Sequence, residues 1–253
     1  MDYQQCINGK TLNYFARTNE KSLSGPIEGV VLEFPGLGGG SCMGGVDAVG
    51  EYTAPYGLRC AHANILLAYV FTGPWSWMND SAVRIADAVV DAIWERYQLA
   101  EDIPLISTGG SMGGCGALLY ARYGKRAPTA CAANGPGCDA MALYRGHPDF
   151  ARTLFHAVAH YTCSFEEAMR SLSAIHQIDH MPRIPYYIVH TDMDDIIPIQ
   201  QHSDILVPLL REKGHNVTYN IVPDRGHCDL PAQDWNAMVR WIIEQAQSHK
   251  SHL

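Results

Sequence analysis

The sequence lacks long hydrophobic runs and an excess of basic residues, and each absence excludes a class of partner. Its longest uninterrupted apolar run, at residues 65–71, is far too short to span a bilayer. The chain of 253 residues has 18 Lys and Arg against 26 Asp and Glu, a net charge of −8 that leaves no basic face for a phosphate backbone. We therefore expect neither a membrane nor a nucleic acid as a partner.

Paired cysteine motifs and a secretion signal are also missing. The eight cysteines are scattered, with no CxxC pair and without the Cys and His spacing of a zinc site. Reduced thiols and no bound metal are therefore expected. The first five residues are polar and contain neither the basic nor the apolar region of a signal peptide. This start of the sequence predicts a cytoplasmic location.

The composition is that of a folded chain with a well-filled core. Hydrophobic residues make up 47% of the sequence and charged residues 17%, which argues against disorder. No internal repeat, low-complexity tract or long linker divides the chain. Its length suits one α/β domain over residues 1–253, and the sequence leaves the oligomeric state open.

Predicted strands and helices alternate along most of the chain. Strands are predicted at 29–34, 65–71, 103–108, 129–133, 186–190 and 217–222, and helices at 80–97, 112–123, 200–213 and 233–247. Continuous apolar strands in this order indicate an α/β fold with a mostly parallel sheet covered by helices on both faces.

Two segments stand outside this alternation. Asn8-Gly9 lies between two β-prone runs, which predicts a hairpin over residues 3–17. Residues 139–181 show helical patterns and no clear strand. We expect this second segment to be a short helical lid over the carboxyl edge of the sheet, where α/β folds place their sites.

The clearest local motif is Gly109-Gly110-Ser111-Met112-Gly113, a G-x-S-x-G pattern between a predicted strand and a predicted helix. A serine on such a tight turn is held in a strained backbone conformation that exposes its hydroxyl, and the flanking glycines allow close backbone contacts. The alternative is an ordinary glycine-rich turn, but the lysine of a phosphate-binding loop is missing. Ser111 is therefore a candidate nucleophile.

Partners for a nucleophile follow downstream. Asp192, Asp194 and Asp195 come directly after the strand predicted at 186–190, and His227 follows the last predicted strand. The sequence has twelve histidines, and only its place after that strand favours His227 over the others. The order is therefore serine, acid, histidine.

This order and these loop positions resemble the α/β-hydrolase superfamily from about Gly29 to Gln247. The Gly-Gly-Ser-x-Gly-Gly elbow, and the segment at residues 173–175 before Ile184-Pro185, are similar to single-domain members of the prolyl oligopeptidase and dienelactone hydrolase branches. In that family the acid commonly lies four residues before a proline. The resemblance therefore implies Asp194 as the acid, with Asp195 as the alternative, and a serine hydrolase that needs no cofactor.

The resemblance also implies an oxyanion hole built from two backbone N–H groups. Elbow geometry assigns one to Met112, the residue after the nucleophile. Matching Gly36 to the glycine of the family's His-Gly-x loop assigns the other to Leu37. Pro35 replaces the usual histidine, which is a departure, and the alternative is that this glycine-rich loop is a plain connection.

Some residues near the expected mouth of the site are open to two interpretations. Trp75 and Trp77 follow a predicted strand and could form an aromatic substrate pocket or pack under the next helix. Glu33 and Glu51 could meet a cationic substrate group or be simply solvated.

Three functions follow from these residues. The favoured one is hydrolysis of a small-molecule carboxylic ester, carrying a small or carbohydrate-linked acyl group, through an acyl-enzyme. The second is a peptidase of the prolyl oligopeptidase type, which usually carries an N-terminal propeller; with the first core strand expected at about Gly29, no propeller is expected here. The third is a relative that binds a small ligand without catalysis.

Overall fold

A computed structural model of the chain describes residues 2–37 and 54–248. Within these ranges seven strands form one sheet in the order β1-β3-β2-β4-β5-β6-β7. Only β1 runs antiparallel to its neighbour β3; all other pairs are parallel. The strands are β1 Ala16–Thr18, β2 Gly29–Phe34, β3 Ile65–Val70, β4 Leu105–Gly110, β5 Ala130–Asn134, β6 Tyr186–Thr191 and β7 Val217–Val222. The predicted mostly parallel α/β sheet is confirmed.

Ten helices belong to the described part of the chain. They are α1 Tyr3–Cys6, α2 Leu12–Phe15, α3 Pro55–His62, α4 Asp80–Tyr97, α5 Met112–Tyr123, α6 Ala140–Gly146, α7 Pro148–Val158, α8 Phe165–Ser171, α9 Ser203–Glu212 and α10 Ala232–Ala246. The bounds of α4, α5 and β7 agree with the prediction. The short helix α3 was not predicted.

Two hydrophobic clusters lie on opposite faces of the sheet, because successive side chains of a strand point to opposite sides. In β2, Val30 and Leu32 join the cluster that contains α4 and α5. Val31, between them, joins the cluster that contains α3 and α10. Strands covered on both faces are buried throughout, which explains their continuous apolar runs.

The predicted N-terminal hairpin is wrong. Residues 3–6 and 12–15 instead form α1 and α2, which pack against α4. The Asn8-Gly9 turn joins two helices because the Asn8 side chain accepts the N–H of Lys10 at 3.1 Å and the Asn8 N–H donates to Thr11 Oγ1 at 3.0 Å. Leu12, fully buried, supplies the apolar contact that favours this arrangement.

The segment at residues 139–181 is helical, as expected, with α6, α7 and α8 followed by two short 3₁₀ turns. It is tied to the start of α4 by Asn79. The Asn79 side chain caps α4 by accepting the N–H of Ala82 at 3.0 Å and donates to the carbonyl of Ala157 in α7 at 2.8 Å. A lid role for this segment stays a prediction.

Residues 2–37 and 54–248 contain no helix long and apolar enough to cross a membrane. Within the same ranges, no group of three or more His, Cys, Asp or Glu side chains is arranged to hold a metal ion.

Candidate active site

Ser111 lies on a sharp turn between β4 and α5. Its backbone has φ +57° and ψ −125°, a conformation that side-chain-bearing residues rarely adopt. The turn passes so close to β2 that a Cβ added at Gly113 would stand 2.1 Å from the carbonyl oxygen of Phe34. Only glycine fits there. The tight strand-to-helix turn expected from the G-x-S-x-G motif is therefore present, and the role of Ser111 as the nucleophile stays a prediction.

Asp194 lies in the loop after β6, and its carboxylate is buried. Its Oδ2 atom is 2.7 Å from Nδ1 of His227, and its Oδ1 atom accepts the N–H groups of Ile196 at 3.0 Å and Ile197 at 2.7 Å. Asp195, the alternative acid, is exposed. Asp192 instead accepts the N–H of Asp224. Of the three candidate carboxylates, the structure brings Asp194 to the histidine.

The loop that contains His227 follows β7, and hydrogen bonds hold the residues on both sides of His227. Thr191 donates its hydroxyl hydrogen to the carbonyl of Gly226 at 2.9 Å. The Asn134 amide donates to the carbonyl of Cys228 at 3.3 Å, and the Cys228 thiol donates to the carbonyl of Asn134 at 3.5 Å. His227 keeps a fifth of its side chain exposed, so its ring is accessible to a substrate.

Asn134, at the end of β5, also connects this loop to Ser111. Its carbonyl oxygen accepts the backbone N–H of Ser111 at 2.9 Å as well as the Cys228 thiol. The turn of Ser111 and the loop of His227 are therefore both hydrogen-bonded to Asn134. Among the described residues the Ser111 hydroxyl makes no direct hydrogen bond to His227, a contact that is often long until substrate binds.

The electrostatics of the acid–base pair follow from its hydrogen bonds. Burial alone would raise the pKa of Asp194, but hydrogen bonds from His190, His227 and the Ile197 N–H outweigh it and lower that pKa. Burial alone would lower the pKa of His227, but the bond to Asp194 and the neighbouring Cys228 thiol raise it. The pair therefore favours a carboxylate beside a histidine that holds a proton well.

A second histidine, which the sequence did not single out, contacts the same carboxylate. His190, the fifth residue of β6, is fully buried with its Nε2 atom 3.2 Å from Asp194 Oδ2. One signal was available: His190 is the last residue of the strand predicted at 186–190 and lies four residues before Asp194. The sequence did not show that its side chain turns toward the acid.

The residues expected to form the oxyanion hole flank the nucleophile. Met112 is the first residue of α5, where backbone N–H groups lack a partner within the helix. The loop that holds Leu37 runs beside the turn, since a Cβ added at Gly36 would lie 3.9 Å from Ser111 Cβ. The rest of that glycine-rich loop, residues 38–40, lies outside the described residues. The donor roles of Met112 and Leu37 stay predictions.

The two tryptophans differ in their surroundings. Trp77 is buried, donates its ring N–H to Thr153 Oγ1 at 3.1 Å and packs edge-on against Phe150. These contacts favour the packing interpretation for Trp77. Trp75 is 47% exposed and has its ring edge-on to His156, so a pocket role for Trp75 stays a prediction.

Of the two glutamates considered for a cationic substrate group, Glu33 and Glu51, the structure describes only Glu33. Glu33 is close enough to the buried Cys60 thiol of α3 to raise its pKa, together with burial, which is the larger cause. Glu51 lies outside the described residues.

A family model matches part of the chain. The family described as secretory lipase matches residues 162–251, about a third of the chain. A search of curated proteins found no match to the sequence.

Solved structures with this fold include esterases and peptidases. Esterase B from Lactobacillus rhamnosis has a TM-score of 0.67 at 12% identity, over 90% of this chain and 79% of its own. A puromycin hydrolase has a TM-score of 0.67 at 18% identity, over 89% and 34%. The acylaminoacyl peptidase of Pyrococcus horikoshii has a TM-score of 0.65 at 15% identity, over 90% and 37%. The chain spans about a third of the length of these last two proteins. The predicted α/β-hydrolase fold is confirmed.

Proposed function

We propose that this chain, a serine hydrolase of the α/β-hydrolase fold, cleaves a carboxylic ester of a small or carbohydrate-linked acyl group. The observation that carries the proposal is the buried Asp194–His227 pair, with an Oδ2 to Nδ1 distance of 2.7 Å, beside a serine held in a strained turn. Nucleophile, base and acid then lie at the carboxyl ends of parallel strands, where α/β folds bind ligands.

In the proposed reaction His227 acts first as the base. It takes the proton of the Ser111 hydroxyl as the serine oxygen attacks the ester carbonyl carbon. Asp194 holds the imidazole with its Nδ1–H toward the carboxylate, which leaves Nε2 for the proton transfer, and stabilises the imidazolium that forms. The backbone N–H groups of Met112 and Leu37 stabilise the oxyanion, each contributing roughly 10²–10³-fold to the rate.

The second half of the reaction releases the acid. Collapse of the tetrahedral intermediate expels the alcohol, which receives the proton from His227, and leaves an acyl group on Ser111. His227 then takes a proton from water as the water oxygen attacks the acyl carbon. The ester bond is broken, the serine recovers its proton and no cofactor takes part.

Two findings favour an ester over a peptide substrate. Esterase B matches over most of its own length, whereas the puromycin hydrolase and the peptidase are matched over about a third of theirs. The family match is to a family described as secretory lipase. A peptidase is the second candidate, because both longer neighbours superpose on the chain with similar TM-scores.

A third candidate is a non-catalytic binding protein. The observation that favours it is the missing direct hydrogen bond between Ser111 and His227 among the described residues. A complete acid–base pair with an exposed face argues for catalysis, so this candidate ranks last.

The test compares p-nitrophenyl acetate and butyrate with a set of aminoacyl p-nitroanilides. We expect ester hydrolysis by the wild type, its loss in Ser111→Ala, and unchanged hydrolysis in Ser81→Ala, a control serine at the start of α4. Anilide cleavage at a comparable rate would support the peptidase. Equal, very slow hydrolysis by wild type and Ser111→Ala would support the binding protein.

The partner and location of the chain are proposals too. A small-molecule ester is the proposed partner. We propose a cytoplasmic location, although the matched family is one described as secretory. Fractionation of the source cells, with the protein detected by antibody, decides between cytoplasm and medium.

A further inference from the structure

The buried histidine beside the acid has defined hydrogen-bond roles at both ring nitrogens. His190 Nε2 lies 2.9 Å from the carbonyl oxygen of Ile197 and 3.2 Å from Asp194 Oδ2. Both of these oxygens can only accept, so Nε2 carries the proton and is shared between them. His190 Nδ1 lies 2.7 Å from Ser203 Oγ, whose hydroxyl can donate to it. A neutral ring satisfies all three contacts.

The two oxygens of the Asp194 carboxylate are therefore occupied differently. Oδ1 accepts the backbone N–H groups of Ile196 and Ile197, which fix it within its own loop. Oδ2 accepts from two imidazoles, His227 at 2.7 Å and His190 at 3.2 Å. Because the side chains of Asp194 and His190 are fully buried, neither contact is shared with solvent, and hydrogen bonds in such surroundings are strong.

We propose that His190 is a positioning residue, which shares Asp194 Oδ2 with His227 and so sets both the place and the negative potential of the oxygen that His227 meets. The inference rests on the proposed function, in which His227 is the base. Without the donor from His190, Oδ2 interacts with His227 alone. The protonated form of His227 is then favoured more strongly, and fewer molecules carry the free base at neutral pH.

Other titratable groups face this cluster from the neighbouring elements. The pKa of His202, the residue before α9, is lowered to about 4 by burial and by the nearby His190, so His202 stays neutral. Asp139, before α6, has the opposite and smaller effect on the pKa of His202. The Cys228 thiol lies 3.7 Å from His227 Nε2. None of these groups donates a hydrogen bond to Asp194 Oδ2, so the effect of His190 is separable from theirs.

Two substitutions of His190 distinguish the roles of its two ring nitrogens. In His190→Gln the side-chain amide reaches the position of Nε2 and keeps a donor for Asp194. In His190→Asn the shorter amide reaches only the position of Nδ1, so the contact with Ser203 is kept and the donor is lost. Both variants are neutral and polar, and they form a matched pair.

The expected result is a difference in both rate and pH dependence of ester hydrolysis. His190→Asn lowers kcat by about 10²-fold with KM little changed, because Asp194 no longer holds His227 in the geometry that proton transfer needs. It also moves the acidic limb of the kcat/KM profile to higher pH. His190→Gln restores most of the rate and returns the limb toward its wild-type position.

A measurement independent of turnover completes the test. The Nδ1–H proton of His227, bonded to Asp194, gives a far-downfield ¹H NMR signal whose titration reports the protonation of His227. We expect that titration to move to higher pH in His190→Asn and not in His190→Gln. If the wild type hydrolyses no ester, the proposed function fails while this measurement still tests the role of His190.

Two results would overturn the proposal. In the first, a folded His190→Asn keeps the wild-type acidic limb of the kcat/KM profile and the wild-type titration of His227. In the second, the Asn and Gln variants behave alike. Should His190→Asn fail to fold, Ser203→Ala replaces it. That variant removes the partner of Nδ1 and leaves Asp194 untouched. It frees the ring to turn, so the same upward displacement of the limb is expected, at smaller size, and no displacement would contradict the role of His190.

Discussion

The two halves of the site are built by different means. On the side of the proposed nucleophile, which we call the nucleophile side, Ser111 is positioned by the backbone: its φ is strained, and the start of α5 passes so close to β2 that only glycine fits at residue 113. On the side of the proposed acid and base, which we call the acid–base side, Asp194 and His227 are positioned by side-chain and backbone hydrogen bonds. Steric positioning tolerates no added atom, whereas hydrogen-bonded positioning is sensitive to the loss of a donor or a charge.

The largest expected effect is on the acid–base side. Asp194→Asn keeps the shape of the side chain but removes the charge and favours the wrong tautomer of His227, so kcat falls by roughly 10⁴-fold. Asp195→Asn, the matched control one residue along, changes an exposed carboxylate and leaves kcat unchanged. Steady-state ester hydrolysis measures both. A comparable loss in both variants would mean that the loop, rather than the Asp194 carboxylate, supports the base.

The next effect is on the nucleophile side and concerns stability. Gly113→Ala puts a methyl group 2.1 Å from the carbonyl oxygen of Phe34, which forces β2 and the turn apart and lowers the free energy of unfolding by about 3 kcal/mol. Gly226→Ala, next to His227, meets no atom within 4 Å and is expected to be close to neutral. Urea unfolding followed by circular dichroism compares the two. Equal losses would remove the contrast between steric and hydrogen-bonded positioning.

The smallest effect is a pH dependence on the acid–base side. His202 Nδ1 accepts the N–H groups of Cys138 at 3.1 Å and Asp139 at 3.3 Å, and burial lowers the pKa of His202 to about 4. The unfolded chain, with an ordinary histidine pKa of about 6.5, binds more protons between these values. The stabilisation from His202 is therefore complete above pH 6.5 and is lost as the pH falls toward 4, by about 2 kcal/mol at pH 5.

His202→Asn provides the matched variant, since its amide oxygen can accept at the position of Nδ1 and does not titrate. Urea midpoints at pH 7.5 and 5 should differ less in His202→Asn than in the wild type. An equal difference in both proteins would assign the acid sensitivity to other groups.

The sequence predicted those helices and strands whose buried apolar residues recur at regular spacing. The apolar stripe of α4 and the continuous apolar strand β2 were predicted with their limits because one residue pattern satisfies both the backbone and the core. The hairpin at residues 3–17 was not, because an Asn-Gly turn can join helices as well as strands. Contact with α4, through residues far along the chain, decided between them.

The sequence by itself determined the order of strands β2 to β7 and of helices α4, α5, α9 and α10, and singled out the turn at Ser111 and the histidine after the last strand. Those features depend on local backbone geometry and on chain order, which neighbouring residues specify. Only the tertiary structure decided that Asp194 and not Asp195 meets His227, and that His190 shares the same oxygen. Adjacent carboxylates differ in the sequence by one position, but in the fold one is buried among donors and the other is exposed to solvent.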